Sequence, residues 1–408
     1  MRASTSFSGP LRAAPRSRAA RRPRAAPRAK ALGTADLSPA YTGPRLSPTL
    51  DAATAFAPAT VANLGPGFDW LGCAVAGAGD TVTARPLVGR PGEVVVAAVT
   101  GDGGRLSLDP GKNCAGVAAA GVLSILGTPT HGVELTLHKV CGVVVGGRGE
   151  RRGEGAPTPT PPPPSLSPRP PHQGLPLGSG LGSSAASAAA AAVAVAALFG
   201  GPLPRAALVP AGLASEAAVS GFHADNIAPA MLGGFVLIRS TDPLDLVPLA
   251  YGGGRASGVD PPPPLYFALV NPLFEAPTAA MRAALPQNVP LTAAVANCAA
   301  GGALVAAILA GDARALGAAL SADAIVEPVR GPLIPGFAAV KAAALRAGAY
   351  GCTISGAGPT CVAVVESEEA GAAVAAAMAA AFKEHGGLEL GSARVAALDG
   401  EGARLVKG

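Results

Sequence analysis

The stretch Gly174-Leu175-Pro176-Leu177-Gly178-Ser179-Gly180-Leu181-Gly182-Ser183-Ser184-Ala185 runs directly into an alanine-rich segment that ends at Phe199. Its glycines permit close backbone approach to a ligand. Ser183 or Ser184 is expected to cap the helix that the alanines favour. The free N–H groups and dipole at that helix start attract an anion, so the stretch is read as a phosphate cradle. It is not a Walker loop, because no Lys follows the last Gly, nor a dinucleotide fingerprint, because Gly178, Gly180 and Gly182 alternate singly.

Outward from this loop, short β-like runs alternate with alanine-rich helical ones, the pattern of an α/β or α+β protein. Strands are expected at Val94 to Val99, Val133 to His138, Phe235 to Ile238, Leu265 to Val270 and Cys361 to Val365. Helices are expected at Ala115 to Leu126, Ser184 to Phe199, Arg205 to Val219, Thr292 to Leu309, Phe337 to Ala347 and Glu368 to Phe382. A Pro/Gly-rich stretch from Asp242 to Pro264 places a domain boundary close to Thr241. The reading is therefore a leader over 1–48, an N-terminal domain over 49–241 and a C-terminal domain over 242–408. A second Pro-rich cluster, Val140 to Gln173, interrupts the first domain between a strand and the cradle. It has no periodic apolar face, and it is expected to be irregular and dispensable to the working protein.

A chain of 408 residues, 49% hydrophobic and only 14% charged, can bury sizeable cores, which excludes whole-chain disorder. The net charge of +5 is a local matter. Eight Arg and Lys30 fall within residues 1–35 with no acid among them, so the rest of the chain is net negative and no nucleic-acid partner is expected. An Arg- and Ser-bearing, acid-free beginning without a long apolar core resembles an organelle transit peptide, with plastid ahead of mitochondrion as destination. The longest uncharged apolar run is taken as Ala185 to Phe199, short of the roughly 20 residues of a bilayer span, so no membrane helix is expected. Six Cys without a CxxC pair are read as reduced thiols.

Two further glycine loops flank the cradle in sequence. One is Ala57-Pro-Ala-Thr-Val-Ala-Asn63-Leu-Gly65-Pro-Gly67-Phe-Asp69-Trp-Leu-Gly72, and the other is Gly351-Cys-Thr-Ile-Ser355-Gly356-Ala-Gly358-Pro-Thr360. Together the three resemble motifs one, two and three of the GHMP small-molecule kinases, with the first in the form of the homoserine kinases. His223-Ala-Asp225-Asn226, Thr278-Ala-Ala-Met-Arg282 and Glu327-Pro-Val-Arg330 extend the likeness. The resemblance implies two α+β domains, the first like the second domain of ribosomal protein S5 and the second ferredoxin-like, with the site between them. It implies ATP-dependent phosphorylation of the L-homoserine hydroxyl, with Mg²⁺, in a homodimer. Another GHMP kinase and a catalytically inactive ligand-binding relative are the competing readings.

By the same resemblance, Asn63, Asp69, His223, Asn226, Thr278, Arg282 and Arg330 form the homoserine pocket. An α-ammonium and an α-carboxylate need an acid and a guanidinium within reach of each other, and Asp69, Arg282 and Arg330 supply them. ATP is assigned to Asn113, Pro176, Gly178, Ser179, Gly180, Leu181, Gly182, Ser183, Ser184 and Ala185. Glu216 and Ser183 are the magnesium ligands, since that ion takes few protein oxygens and often one carboxylate. Lys139 is a phosphate contact. Asn226 stands where some sister kinases carry an Asp, and an amide takes no proton, so no catalytic base is expected unless Asp225 serves.

Overall fold

The computed structural model describes residues 41–127, 129–140, 178–219, 221–255, 260 and 262–406. The first sheet contains β1 (Ala53–Ala62), β2 (Leu71–Leu87), β3 (Val94–Thr100), β4 (Gly132–Val140), β5 (Phe235–Thr241) and β6 (Leu244–Leu249). β2 is its hub, pairing antiparallel with β1, β4 and β5, while β3 lies parallel to β4. Three helices cover one face, α1 (Cys114–Ile125), α2 (Ser183–Leu198) and α4 (Ala224–Leu232), and α3 (Val209–Val219) packs on all three. Beyond its first turns, which carry Ser183, Ser184 and Ser187, α2 is apolar all round, and it is almost wholly buried, as a helix without an exposed polar face must be. Its alanines let sheet and neighbouring helices approach closely.

The second sheet holds β7 (Tyr266–Pro272), β8 (Gly351–Ile354), β9 (Cys361–Val365) and β10 (Leu390–Ala397), in the order β10-β7-β9-β8 with every pair antiparallel. Between β7 and β8 run α5 (Thr278–Ala283), α6 (Leu291–Ala310), α7 (Ala313–Leu320), α8 (Glu327–Arg330) and α9 (Phe337–Arg346), and α10 (Glu368–Gly386) joins β9 to β10. That order is the ferredoxin-like one. Alternation along β7 puts Phe267 and Leu269 into a core shared with β1, β2, α6 and α7, and Ala268 and Val270 into one shared with α9 and α10. A last short strand, β11 (Arg404–Leu405), returns to pair with β1 of the first sheet.

The structure departs from the sequence reading in several places. The boundary expected near Thr241 moves, because β6 pairs with β5 and extends the first sheet to Leu249. Pro and Asp in β6 disguise an edge strand, where both are tolerated. The leader expected to reach residue 48 ends earlier: Tyr41 N–H donates to Ile125 O at 3.2 Å, and Tyr41 and Leu46 pack on the first core. Ala57 to Ala62, read as loop, is strand. Pro58 hid it, and the pairing register shifts between Pro58 and Ala59, the irregularity at which a strand tolerates proline. The expected cap at Ser183 or Ser184 is replaced by Gly182 at φ 61°, with both serines inside the helix. Leu291–Ala310 is a longer uncharged run than Ala185 to Phe199 and is long and apolar enough to cross a membrane by length and composition. Val140, expected to open the irregular segment, is instead the last residue of β4, paired with Gly79; the basic leader over 1–40 and residues 141–177, with Gly174 and Pro176 of the cradle, lie outside the described residues.

Candidate active site

Between the two sheets lies a cleft of about 270 Å³ lined by all three glycine loops and by α3, α4, α5 and α8. The loops are bonded to one another. Thr60 N–H donates to Leu181 O at 3.1 Å, Ser355 Oγ to Gly180 O at 2.6 Å, and Gly356 N–H to Ala62 O at 2.9 Å. At Gly180 (φ 78°) a Cβ would strike the Ser355 carbonyl, so only glycine fits this crossing. Three loops distant in sequence therefore form one rigid wall at the start of α2.

Of the residues expected in the site, Asn63, Gly178, Ser179, Gly180, Gly182, Ser183, Ser184, Glu216, His223, Asn226, Thr278, Arg282 and Arg330 line the cleft. Asp69 sits just behind them, gripping Arg282 through two 3.0 Å hydrogen bonds. The first loop is shaped for that: Asn63 and Asp69 both take positive φ, 57° and 60°, and Asn63 Oδ1 accepts from the Asp69 N–H at 2.8 Å. Asn and Asp tolerate this conformation better than other residues with a side chain. Both guanidiniums lie over the Phe68 ring, Arg282 at 5.6 Å and Arg330 at 4.8 Å from its centroid, so one aromatic side chain makes cation–π contacts with both. Hydrogen bonds from Arg330 to Met281 O and Gly356 O anchor it to the third loop.

Besides Asp69, four expected site residues among those described lie off the cleft wall. Leu181 is buried in the second core and Ala185 in the first. Asn113 caps α1, its Oδ1 accepting from the Ala115 N–H at 3.0 Å. Lys139, 2% exposed, directs its ammonium into the protein: it donates to Asp80 Oδ2 at 2.6 Å, Ser183 Oγ at 2.8 Å, Ser183 O at 3.0 Å and Ser187 Oγ at 2.7 Å. As placed, it holds the cradle serine to Asp80 and Ser187.

Glu216, 2% exposed, and His223 meet at 3.5 Å. Burial opposes charge on His223, but the Glu216 and Asp225 carboxylates outweigh it and raise the imidazole pKa. Asp225 is fully buried, and burial first, then the Asp69 carboxylate, pushes its pKa up to about 7. Arg282 is held more firmly protonated by Asp69, whereas burial and the neighbouring Arg282 lower the pKa of Arg330. Thr60, Phe68, Asp80 and Ser187 were missed in the sequence. Each acts through a partner far away in the chain, and no local spacing marks it.

A phosphate-sized helix start facing a mixed carboxylate and guanidinium cluster across two α+β domains is the arrangement of a small-molecule kinase. The model of the GHMP kinases N terminal domain matches residues 172–234 and that of the GHMP kinases C terminal matches residues 304–384. Homoserine kinase of Arabidopsis thaliana is 53% identical over 353 residues, covering 86% of this chain and 84% of its own. That of Chlorobaculum tepidum is 38% identical, covering 86% and 98%. The crystal structure of homoserine kinase from Cytophaga hutchinsonii superposes with a TM-score of 0.71 at 36% identity, covering 89% of this chain and all of that one. The chain belongs to the homoserine kinases of the GHMP kinase family.

Proposed function

We propose that this cleft transfers the γ-phosphoryl group of ATP to the side-chain hydroxyl of L-homoserine, giving O-phospho-L-homoserine. The observation that carries the reading is the placement of Arg282 and Arg330 in the same cleft as the start of α2, with Asp69 bonded to Arg282 from just behind the cleft wall. Family membership supports the substrate, and a zwitterion fits the charges. Its ammonium takes Asp69 and its carboxylate takes Arg282 and Arg330, so each half of the existing ion pair exchanges one partner for another. Asn63, His223 and Thr278 complete the pocket wall, and Asn226 meets the reacting hydroxyl. The N–H groups at the start of α2 and the Gly178–Ser184 loop hold the phosphates.

Magnesium fits the residues present. Glu216 and Ser183 offer a carboxylate and a hydroxyl on one wall, an all-oxygen set suited to an ion that keeps its waters and phosphate ligands. When bound, the ion neutralises phosphate charge. Lys139, donating to Ser183 Oγ, fixes where that oxygen points. We assign no general base: Asn226 is an amide, and Asp225 is 2% exposed and off the cleft wall. A loose phosphoryl-transfer transition state needs in-line placement and charge neutralisation more than a strong nucleophile.

The exposed apolar side of α6, with Leu291 at 79% and Val295 at 60% exposure, supports a homodimer contact. The opposite side of α6 carries Leu304 and Ile308 into the second core, and Asn297 Oδ1 accepts from the Ala324 N–H at 3.0 Å, which supports a helix of the folded domain over a membrane span. The basic residues 1–35 support plastid targeting, and a reporter fused to them that stays in the cytosol refutes it. The substrate reading is tested with truncated analogues. 4-Hydroxybutanoate, lacking the ammonium, and 3-aminopropan-1-ol, lacking the carboxylate, should each be turned over at least tenfold less efficiently than homoserine, since each leaves a charged partner unmatched. Equal efficiency for either contradicts the charge assignment.

A further inference from the structure

Thr60 lies in β1, is completely buried, and holds none of the roles assigned above. Its Oγ1 donates to Asn226 Oδ1 at 2.9 Å, while its backbone N–H donates to Leu181 O in the cradle at 3.1 Å. The contact is enclosed from the third side by Gly182: a Cβ there would run into Thr60 Oγ1 and lie 2.9 Å from Asn226 Oδ1. One threonine thus joins the first loop, the cradle and α4 at a single point.

We infer that Thr60 is a positioning residue, which sets the amide of Asn226 so that Nδ2, and not Oδ1, is presented to the reacting hydroxyl. The two ends of an amide differ chemically: the oxygen only accepts, and the nitrogen only donates. With Oδ1 engaged by Thr60, the end left for the cleft is a donor. It holds the hydroxyl oxygen through one lone pair and leaves the other to form the new P–O bond as the bond from the γ-phosphorus to the bridging oxygen breaks; ADP leaves, and the hydroxyl proton passes to an oxygen of the transferred phosphoryl group. Turned over, the amide oxygen would accept a hydrogen bond from the hydroxyl, pinning its proton in place and misdirecting the oxygen. Asn226 meets only the reacting end of the substrate, while Asp69, Arg282 and Arg330 anchor the other. Loss of the Thr60 bond should therefore fall on the chemical step, not on binding.

This inference rests on the assignment of Asn226 above, and the experiment separates the two. Thr60→Val, Thr60→Ser, Asn226→Ala and the double variant Thr60→Val/Asn226→Ala are compared by thermal unfolding and by kcat and KM for both substrates. Thr60→Val should lower kcat about tenfold, the size of one hydrogen bond, with both KM values within about twofold. Thr60→Ser, which keeps the donor, should recover most of that loss. In the Asn226→Ala background Thr60→Val should cost nothing further, because the group it positions is gone. Undiminished kcat in Thr60→Val beside an impaired Asn226→Ala overturns the inference, as do additive losses in the double variant. Undiminished kcat in Asn226→Ala overturns the assignment on which it rests. If Thr60→Val does not fold, Thr60→Ala enters the same cycle.

Discussion

Asp225 and Asn226 are neighbours on α4 with opposite fates: the amide reaches the cleft, and the carboxyl is buried with its Oδ2 lacking a hydrogen-bond partner among the described residues. Asp225 faces Asp69, Glu216 and His223, and its pKa of about 7 means that the fold prefers the protonated form. The stabilisation from that preference is full below the ordinary Asp value of about 4 and is lost as pH rises through 7. Asp225→Asn, neutral at every pH, should therefore flatten the decline in melting temperature between about pH 5 and 8. An unchanged slope contradicts this. Glu216→Gln and Asp69→Ala should fail differently. The first loses a metal ligand and should chiefly lower kcat, by about a hundredfold; the second loses the ammonium partner and should chiefly raise KM for homoserine, by about tenfold or more. Matched small effects in both folded variants refute the assignment. Residues with a chemical signature, such as Asp69 in its Gly-Pro-Gly loop, were legible in the sequence. Thr60 was not, since a threonine in a strand is ordinary until the partner of its hydroxyl is known.

At the scale of elements, β2, β4 and α2 are joined by one buried cluster, Lys139–Asp80–Ser183–Ser187, in which Ser187 Oγ also donates to Asp80 Oδ2 at 2.6 Å. Removing one partner of a buried ion pair leaves the other uncompensated, so Asp80→Asn should destabilise the protein by about 3–5 kcal/mol, read by denaturant unfolding. A loss below about 1 kcal/mol would show that the pair does not hold the cradle to the sheet. The helices α1, α2, α6, α9 and α10 were legible because long alanine-rich runs leave few alternatives. β1 and β2 were not, since their Pro, Gly and Thr resemble loop composition and the strand state is imposed by pairing across 10 and 17 residues. The partners of Lys139 were hidden for a related reason: the sequence places it beside the cradle, and only the fold shows its ammonium bonded to Asp80 as well as to Ser183.

For the whole molecule, the three cores and the return of β11 to β1 hold both domains around one cleft. The end of β4 is already beside the start of α2, because Lys139 reaches Ser183. Removing 140–173 takes only the last residue of β4, Val140, and leaves Gly174 to Gly182, nine residues, to connect Lys139 with α2, still shorter than the loops that are uncommon in compact domains. The deletion variant should fold and be at least as active as the full chain; a folded variant without activity would show that the segment contributes to catalysis. The central claim, that this cleft phosphorylates homoserine, is tested most directly by coupled ADP release from the purified full-length protein with ATP and Mg²⁺, given homoserine, mevalonate or buffer alone. Release that depends on homoserine and stays at the buffer level with mevalonate is the predicted result. Release indifferent to homoserine, or equal with mevalonate, would contradict the account.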